Sequence, residues 1–369
     1  MKKNIGLLLS LITLLPLGAE TQVTAELEIL QALSHNYTDE DTTEEWSYGG
    51  SGSADLSVQS TGSRDVRGEL SLNFIPMDNL TLVNLDKASL KVQFPSLRIT
   101  MGKTRIGWGD GQVFNAGDVL YGSLDPSVDL TADEARDDTA LLTLVRYSMG
   151  RNYLEAIVMP ATSEIDPTDT DSAEETTITQ TSAGGRYVSS LGGGDLELGY
   201  LCKGQEKTDG DVTGHRPYLS LHGYGEVDWY GSASLAVPFE NGDWEENTRE
   251  TVNISAGLFR QFGLGYSGTL SARLEALLYP WGEWEEQAEA DSYGLYLYPE
   301  LVFEWGKMSV PVMAVLSPVD QSGQLTIGAD WNVYQGFSFQ GFASAALGGD
   351  NDTFHGENFS LMGGMKYKY

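Results

Sequence analysis

The sequence predicts an all-β fold: a transmembrane antiparallel up-and-down β-barrel of eighteen strands, with sixteen as the alternative. Three observations support this prediction: an amphipathic final strand, an exported N-terminus, and long alternating segments repeated along the whole chain. Mean hydropathy is only −0.24 and no long apolar run follows the N-terminus, which excludes a helical membrane protein. In a β-barrel the apolar residues alternate with polar ones, so the mean hydropathy of the chain resembles that of a soluble protein.

The final strand, residues 359–369, is apolar on one parity and polar or small on the other. A period of two is the period of a strand. The chain stops on Tyr369, and terminal aromatic residues are typical of a strand that closes a barrel at the bilayer interface. Gly364, Tyr367 and Tyr369 also resemble the signal that barrel-assembly machinery reads, a glycine followed by aromatic residues three and five positions later. Met362 replaces the usual polar residue at its start.

The N-terminus predicts a cleaved Sec signal peptide over residues 1–19. Lys2 and Lys3 precede an apolar run that ends at a small-residue site, Gly18 and Ala19, and no cysteine follows. The mature chain, residues 20–369, is then one barrel domain in the outer membrane of a Gram-negative-type envelope, with both termini in the periplasm. Its predicted strands cover residues 22–36, 45–60, 64–75, 85–94, 96–106, 138–148, 151–160, 178–190, 194–204, 215–224, 226–238, 249–261, 265–279, 291–305, 307–317, 323–333, 336–347 and 356–369.

The connections between these segments alternate between short turns and mostly long, acidic loops. In outer-membrane barrels short turns face the periplasm and long loops face outward, with lipid around the wall. The loops carry much of the net charge of −31, a sign that excludes a nucleic-acid partner. Their carboxylates are either solvated or bridge divalent cations such as Ca²⁺. No residue set identifies a metal site, and no cofactor is predicted.

The third outer loop, residues 107–137, is the longest, and we expect it to fold into the lumen; folding over the barrel mouth is the alternative. Its carboxylates would face basic residues on the adjacent strands and create a transverse field across a constriction. The candidate constriction residues are Arg98, Lys103, Arg105, Asp110, Asp118, Asp125, Asp129 and Arg146.

Residues 97–120 resemble a segment that recurs in large outer-membrane barrels, including alginate-export-type and DUF1302-type porins. The positions that match are Gly102, Arg105, Trp108, Gly109, Gly111, Phe114, Asn115 and Asp118. Ala116 replaces the usual Pro, and Thr104 replaces the usual Gln. The resemblance implies a barrel and a porin-like function but no particular substrate. From the residues themselves, we expect the glycines to allow a bend that Trp108 packs, with Arg105 pairing with a carboxylate such as Asp118.

Three functions stay open, and the first is favoured. The protein is a porin-like channel, monomeric or homotrimeric, for passive diffusion of small hydrophilic solutes; or a structural or adhesive surface barrel with acidic, Ca²⁺-binding loops; or an outer-membrane hydrolase. The hydrolase is least favoured, and we expect no enzyme, because the four histidines fall in none of the known catalytic motifs. His222, with Asp228 near it in sequence, would be its candidate residue.

Overall fold

The computed structural model describes residues 20–37, 45–63, 65–77, 80–121, 130–131, 138–160, 180–204, 214–238, 251–285, 293–349, 353–354 and 357–369. They form one closed antiparallel β-barrel of eighteen strands, which confirms the predicted fold class and strand number. No helix in this part of the chain has the length and apolar character needed to cross a membrane. The strands are β1 Glu20–Tyr37, β2 Glu45–Ser63, β3 Val66–Met77, β4 Leu80–Gln93, β5 Leu97–Thr104, β6 Ala140–Met149, β7 Asn152–Met159, β8 Ser182–Ser190, β9 Gly194–Cys202, β10 Gly214–Gly223, β11 Asp228–Ser234 continued by Val237–Pro238, β12 Asn253–Leu264, β13 Gly268–Leu278, β14 Leu295–Trp305, β15 Met308–Ser317, β16 Ser322–Tyr334, β17 Phe337–Leu347 and β18 Glu357–Lys368.

Each strand pairs with the next in sequence, and β18 pairs with β1 to close the sheet. β11 counts as one interrupted strand because both of its segments pair with β10. Most strand boundaries agree with the predicted ones to within a few residues. The main difference is β4, which begins at Leu80 rather than at residue 85. A bulge opposite Ser71 and Leu72 leaves Asp86 without a register partner, so the inward and outward positions exchange parity there. The first residues of the strand therefore do not continue the alternation of the rest, and the sequence pattern did not reveal them.

The two faces of the wall differ as alternation requires. On β13, Leu274 is 46% exposed on the outer face, whereas its neighbour Glu275 is fully buried on the inner face. The outer face is apolar, and large aromatic residues are exposed near the end where the short turns lie, including Trp305, Trp331 and Tyr367. This distribution is the one expected for a lipid-facing wall with interfacial aromatics.

The ends of the barrel also differ. One end carries only short connections, such as Gly150–Arg151 and Gly306–Lys307, while most connections at the other end are long. Both described termini lie at the short-turn end. There the backbone N–H of Tyr369 donates to the carbonyl oxygen of Ala25 (2.8 Å), and the N–H of Ala25 donates to the carbonyl oxygen of Tyr369 (3.1 Å). The last residue of the chain therefore helps to close the barrel.

Candidate functional site: the lumen and its plug segment

The described beginning of the long connection between β5 and β6 lies against the inner wall. We call residues 106–121 the plug segment. Its backbone and side chains are hydrogen bonded to inward-facing residues of β7, β9, β10, β12 and β13. Most of the segment from Val113 to Leu120 is buried to the level of a protein core. The rest of the predicted loop 107–137, apart from residues 130–131, lies outside the described residues, and so do Asp125 and Asp129.

The carboxylate of Glu275 is the main anchor of the plug segment. It accepts the backbone N–H groups of Gln112 (2.7 Å), Val113 (2.9 Å) and Phe114 (2.8 Å). The phenol of Tyr230, on β11, donates to the same carboxylate. Three successive N–H groups that converge on one carboxylate form an anion-binding backbone nest. A wall side chain occupies this nest, so this anchor binds the backbone of the plug segment rather than its side chains.

The shape of the plug segment depends on its glycines. Gly109 and Gly111 have positive φ values of 67° and 134°, a region that other residues rarely adopt. A Cβ at Gly111 would overlap the carbonyl oxygen of Phe114. Asn115 braces the turn: its Nδ2 donates to the carbonyl oxygen of Trp108 (2.9 Å) and its Oδ1 accepts the N–H of Gly117 (3.0 Å). Gly109, Gly111 and Asn115 therefore shape the turn, and the turn directs the backbone N–H groups of residues 112–114 toward the wall.

A second set of wall charges holds the start of the plug segment. Glu155 on β7 accepts the indole N–H of Trp108 (2.9 Å) and forms an ion pair with Arg146 (2.6 Å) and another with Arg186 (2.9 Å). Arg186 also donates to the carbonyl oxygen of Gly107 (3.0 Å). Every charge in this set has an opposite partner and hydrogen bonds, as buried ionic groups require.

The neighbouring Glu197, on β9, continues this network. It pairs with Arg186 (2.9 Å), accepts the N–H of Gly109 (2.9 Å) and is hydrogen bonded by the phenol of Tyr218. The ring of Tyr218 in turn stacks on Trp108, with ring centroids 5.6 Å apart. Trp108 is fully buried, so it packs the bend as expected.

Asp110 contacts β10 instead of the basic wall. One of its carboxylate oxygens accepts the hydroxyl of Ser220 (3.1 Å), and the other lies 3.1 Å from Nδ1 of His222. This arrangement is not a catalytic triad, because Ser220 and His222 both bind the carboxylate rather than each other. Close by, Tyr224 donates its hydroxyl to Asp195 (2.6 Å), and this hydrogen bond, with burial, raises the pKa of Tyr224 to about 12.

Two apolar clusters fix the plug segment, and the sequence did not predict them. One joins Trp108, Val119 and Leu120 to inward-facing residues of β6, β7, β9 and β10, namely Leu142, Leu144, Ile157, Leu201 and Tyr218. The other joins Val113, Phe114 and Leu130 to Leu277, Tyr293, Tyr296, Tyr298, Val315 and Phe354. A signal was present: residues 140–145 are almost continuously apolar, the pattern of a strand buried on both faces.

The end of the plug segment returns to β5 through Tyr121. Its hydroxyl accepts the N–H of Ile106 (3.3 Å) and donates to the carbonyl oxygen of Thr104 (3.4 Å). Burial raises the pKa of Tyr121 to about 12, so the phenol stays protonated and available as a donor throughout the physiological pH range. These two bonds tie the end of the plug segment to its beginning.

The plug segment covers only part of the inner wall. Five charged residues that contact the plug segment or its supports on β7 to β14 are buried, whereas Glu304, nearer the short-turn end of β14, is exposed. The five are Glu155, Arg186, Glu197, Glu275 and Glu300. In contrast, inward-facing charged residues of β1 to β5 and β16 to β18 are half-exposed or exposed: Glu26, Glu28, Asp55, Arg67, Glu69, Lys91, Arg98, Asp330 and Lys366. The inner wall is therefore divided into a packed half and a solvent-accessible half.

The predicted constriction residues are distributed over both faces. Arg98 and Arg146 are register partners on β5 and β6 and both face inward. Lys103 shares the parity of Met101, which is 52% exposed on the outer face, and its Nζ donates to the carbonyl oxygen of Leu85 (2.6 Å). Lys103 is therefore not brought to the lumen. Arg105 directly follows β5, and Asp118 lies in the plug segment, where it is buried. Both residues lie near Tyr121.

The acidic loops give no metal site in the described part of the chain, where no group of three or more His, Cys, Asp or Glu could hold an ion. Most of the residues of these loops lie outside the described ranges, so cation bridging stays a prediction. Two of the proposed assembly residues lie on β18: Gly364 is the register partner of Leu30, and Tyr367 is the register partner of Leu27. The third, Tyr369, follows the strand and is hydrogen bonded to Ala25.

Replacing Gly111 by alanine should detach the plug segment locally. The new Cβ meets the Phe114 carbonyl at a backbone conformation that itself costs about 1–3 kcal/mol for a residue other than glycine. We expect faster hydrogen exchange at the amides of residues 112–114 while the strand amides stay protected. Gly107→Ala is the matched control, since a Cβ there meets no atom within 4 Å. Equal exchange in the two variants would contradict the role given to Gly111.

Comparisons with known proteins identify the fold but not a family. No known family and no curated protein matches the sequence. Among solved structures, the chain is similar to Wzi of Escherichia coli, an outer-membrane protein involved in group 1 capsule assembly and described as a carbohydrate-binding β-barrel. The TM-score is 0.57 at 12% identity, over 99% of this chain and 88% of that one.

Two further structures show the same architecture. OccK9 (OpdG) of Pseudomonas aeruginosa gives a TM-score of 0.57 at 9% identity, covering 95% of this chain and 98% of that chain. OccAB4 of Acinetobacter baumannii gives 0.53 at 10% identity, covering 94% and 98%. At these identities the likeness is one of fold, and the resemblance of residues 97–120 to particular porin families stays a prediction. The chain has the fold of a bacterial outer-membrane β-barrel.

Proposed function

We propose that the protein is an outer-membrane porin-like channel for passive diffusion of small hydrophilic solutes. The observation that carries this proposal is the division of the inner wall. The plug segment packs against the inner face of β6 to β15, while charged side chains on β1 to β5 and β16 to β18 stay accessible to solvent. A barrel whose lumen is lined on one side by accessible charges offers a polar path for ions and small solutes.

The proposal includes the predicted location. The N-terminal segment would direct export, the apolar outer face would contact lipid, and the short-turn end with both termini would face the periplasm. Assembly by the barrel-insertion machinery through Gly364, Tyr367 and Tyr369 belongs to the same proposal. The plug segment would then enter the lumen from the outer end and narrow it.

We place the constriction between the plug segment and the β5–β6 region of the wall. Arg146 marks the edge of the packed half, because Glu155 binds both Arg146 and the Trp108 indole. Arg98 lies beside it on the accessible side. Asp110 and Asp118 supply the carboxylates of the plug segment, but Asp110 is turned toward β10. The transverse field would therefore arise mainly from the wall cations and from the carboxylates of β1 and β2, such as Glu28 and Asp55.

The test is conductance of the refolded full-length mature barrel in planar lipid bilayers containing KCl. We expect discrete conductance steps, and an Arg98→Glu substitution should move the reversal potential under a salt gradient toward greater cation selectivity. Lys103→Gln, on the outer face of the same strand, is the matched control and should leave the reversal potential unchanged. A correctly folded barrel that gives no conductance in any trial would overturn the channel and favour a structural role.

A further inference from the structure

Three cations lie side by side on the accessible half of the inner wall, and we call Arg67, Lys91 and Arg98 the basic arc. Arg67 on β3 and Lys91 on β4 are direct register partners. Lys91 is the partner of Thr100 on β5, so Arg98 lies two residues along from that position on the same inward face. Neighbouring strands are about 4.8 Å apart, and diagonal neighbours are about 7–8 Å apart, so one small molecule can reach all three side chains.

The basic arc is poorly neutralised by the protein. Arg67 and Arg98 form no salt bridge within the part of the chain that the structure describes, and the long hydrogen bond of Arg98 goes to the neutral side chain of Gln93 (3.4 Å). Lys91 has only a loose contact with Glu69, at 3.9 Å. Glu69 is the inward-facing carboxylate next to the arc on β3, two positions from Arg67, and the cation that it contacts is Lys91.

This arrangement differs from that of three inward-facing arginines of the packed half. Arg146, Arg186 and Arg273 each form a salt bridge with a wall glutamate, at 2.6, 2.9 and 3.1 Å respectively. Like charges placed opposite each other on a sheet are destabilising unless something compensates them. In a chain whose net charge is −31, three adjacent cations that share one loose carboxylate contact are an exception that calls for a ligand.

We propose that the basic arc is a binding site for small solutes that carry two or more carboxylate or phosphate groups. This inference rests on the proposed channel function, because it names the class of solute that the channel selects. The guanidinium groups of Arg67 and Arg98 provide flat forks that match a carboxylate or phosphate, and Lys91 adds a point charge between them. A singly charged anion can engage only one fork, whereas a multiply charged anion bridges the arc, which sets the preference.

The first test compares citrate with acetate at equal ionic strength in single-channel recordings. Citrate should reduce or interrupt the KCl current at concentrations where acetate has no effect. In the double variant Arg67→Gln, Arg98→Gln the half-blocking concentration of citrate should rise about tenfold or more. The loss of two charge-assisted contacts should weaken citrate binding by at least a factor of about ten. Arg260→Gln, an outward-facing arginine near the same end of the barrel, is the control and should behave as the parent. Equal block by acetate and citrate, or an unchanged double variant, would overturn the site.

A second test does not depend on conduction. Calorimetric titration of citrate, and separately of pyrophosphate, into the folded detergent-solubilised barrel should show binding that the double variant loses. Binding of either anion supports the site, and the anion that binds more tightly shows whether the site prefers carboxylates or phosphates. If neither anion binds, the site is overturned. Binding without any channel current would refute the proposed function and keep the site, whereas current without binding would do the reverse. Retained heat-modifiable mobility in gel electrophoresis shows that each variant is folded.

Discussion

Replacing Glu275 by alanine is expected to release the plug segment and enlarge the channel. The substitution removes the acceptor of three backbone N–H groups, from Gln112, Val113 and Phe114, and of the Tyr230 hydroxyl. Leaving one buried donor without a partner costs about 1–3 kcal/mol, so losing several at once is comparable to the stability of many whole domains. The segment should open locally rather than the barrel unfold, because the backbone ladders of β13 with β12 and β14 do not involve this side chain.

The measurement is single-channel conductance together with hydrogen exchange at the amides of residues 112–114. We expect higher or noisier conductance and lost protection at these amides. The matched control is Glu304→Ala, because Glu304 is an exposed inward-facing carboxylate that accepts the hydroxyl of Thr269 on the wall (2.7 Å) and not a group of the plug segment. If Glu275→Ala conducts like the parent and keeps its amide protection, the carboxylate is not the anchor of the plug segment.

Deleting residues 367–369 is expected to remove most of the protein from the outer membrane. The deletion takes away the Leu27–Tyr367 and Glu26–Lys368 pairs and both backbone bonds between Ala25 and Tyr369. Ten further register pairs between β1 and β18 remain, from Glu28–Lys366 to Tyr37–Glu357, and so does the Lys366–Glu26 salt bridge (2.6 Å). The larger effect should therefore fall on recognition by the assembly machinery rather than on the stability of the closed barrel.

Membrane fractionation and heat-modifiable mobility measure this effect in cells, and refolding into detergent micelles measures it without the machinery. The truncated chain should refold in micelles but fail to insert in cells. Tyr266→Ala is the control, because Tyr266 is another fully exposed aromatic residue in a turn at the same end of the barrel. Normal insertion of the truncated chain would count against Tyr367 and Tyr369 as part of an assembly signal.

Much of the fold was predictable because alternation is a local property of the sequence. The eighteen strands and the closing pair follow from the period of two. The same alternation places Arg98 and Lys103 on opposite faces of the strand, because they lie five positions apart. The prediction that both line the constriction rested on their charge and ignored this parity. The start of β4 was missed because a bulge changes the phase of the alternation at Asp86.

The candidate site was predictable only in part. Gly109 and Gly111 marked a bend, and the structure shows that this bend shapes the plug segment and that Asn115, which the sequence did not assign to the bend, braces it. The apolar contacts of the plug segment with Leu142 and Leu144 were not predicted, although residues 140–145 are apolar on both parities, a pattern that indicates burial on both faces of a strand. The sequence placed Asp110 opposite the wall cations, whereas the structure pairs it with Ser220 and His222.

The sequence by itself predicted that this chain forms a barrel, favoured eighteen strands over sixteen and indicated which strand closes the barrel, because the side-chain period and the turn lengths are local properties of the sequence. Tertiary structure decided what fills the lumen. Glu275 binds backbone N–H groups more than 160 positions away in the chain, at Val113 and Gln112. Almost every residue offers such an N–H group, so the donors leave no mark in the sequence, and only the folded wall selects which carboxylate meets them.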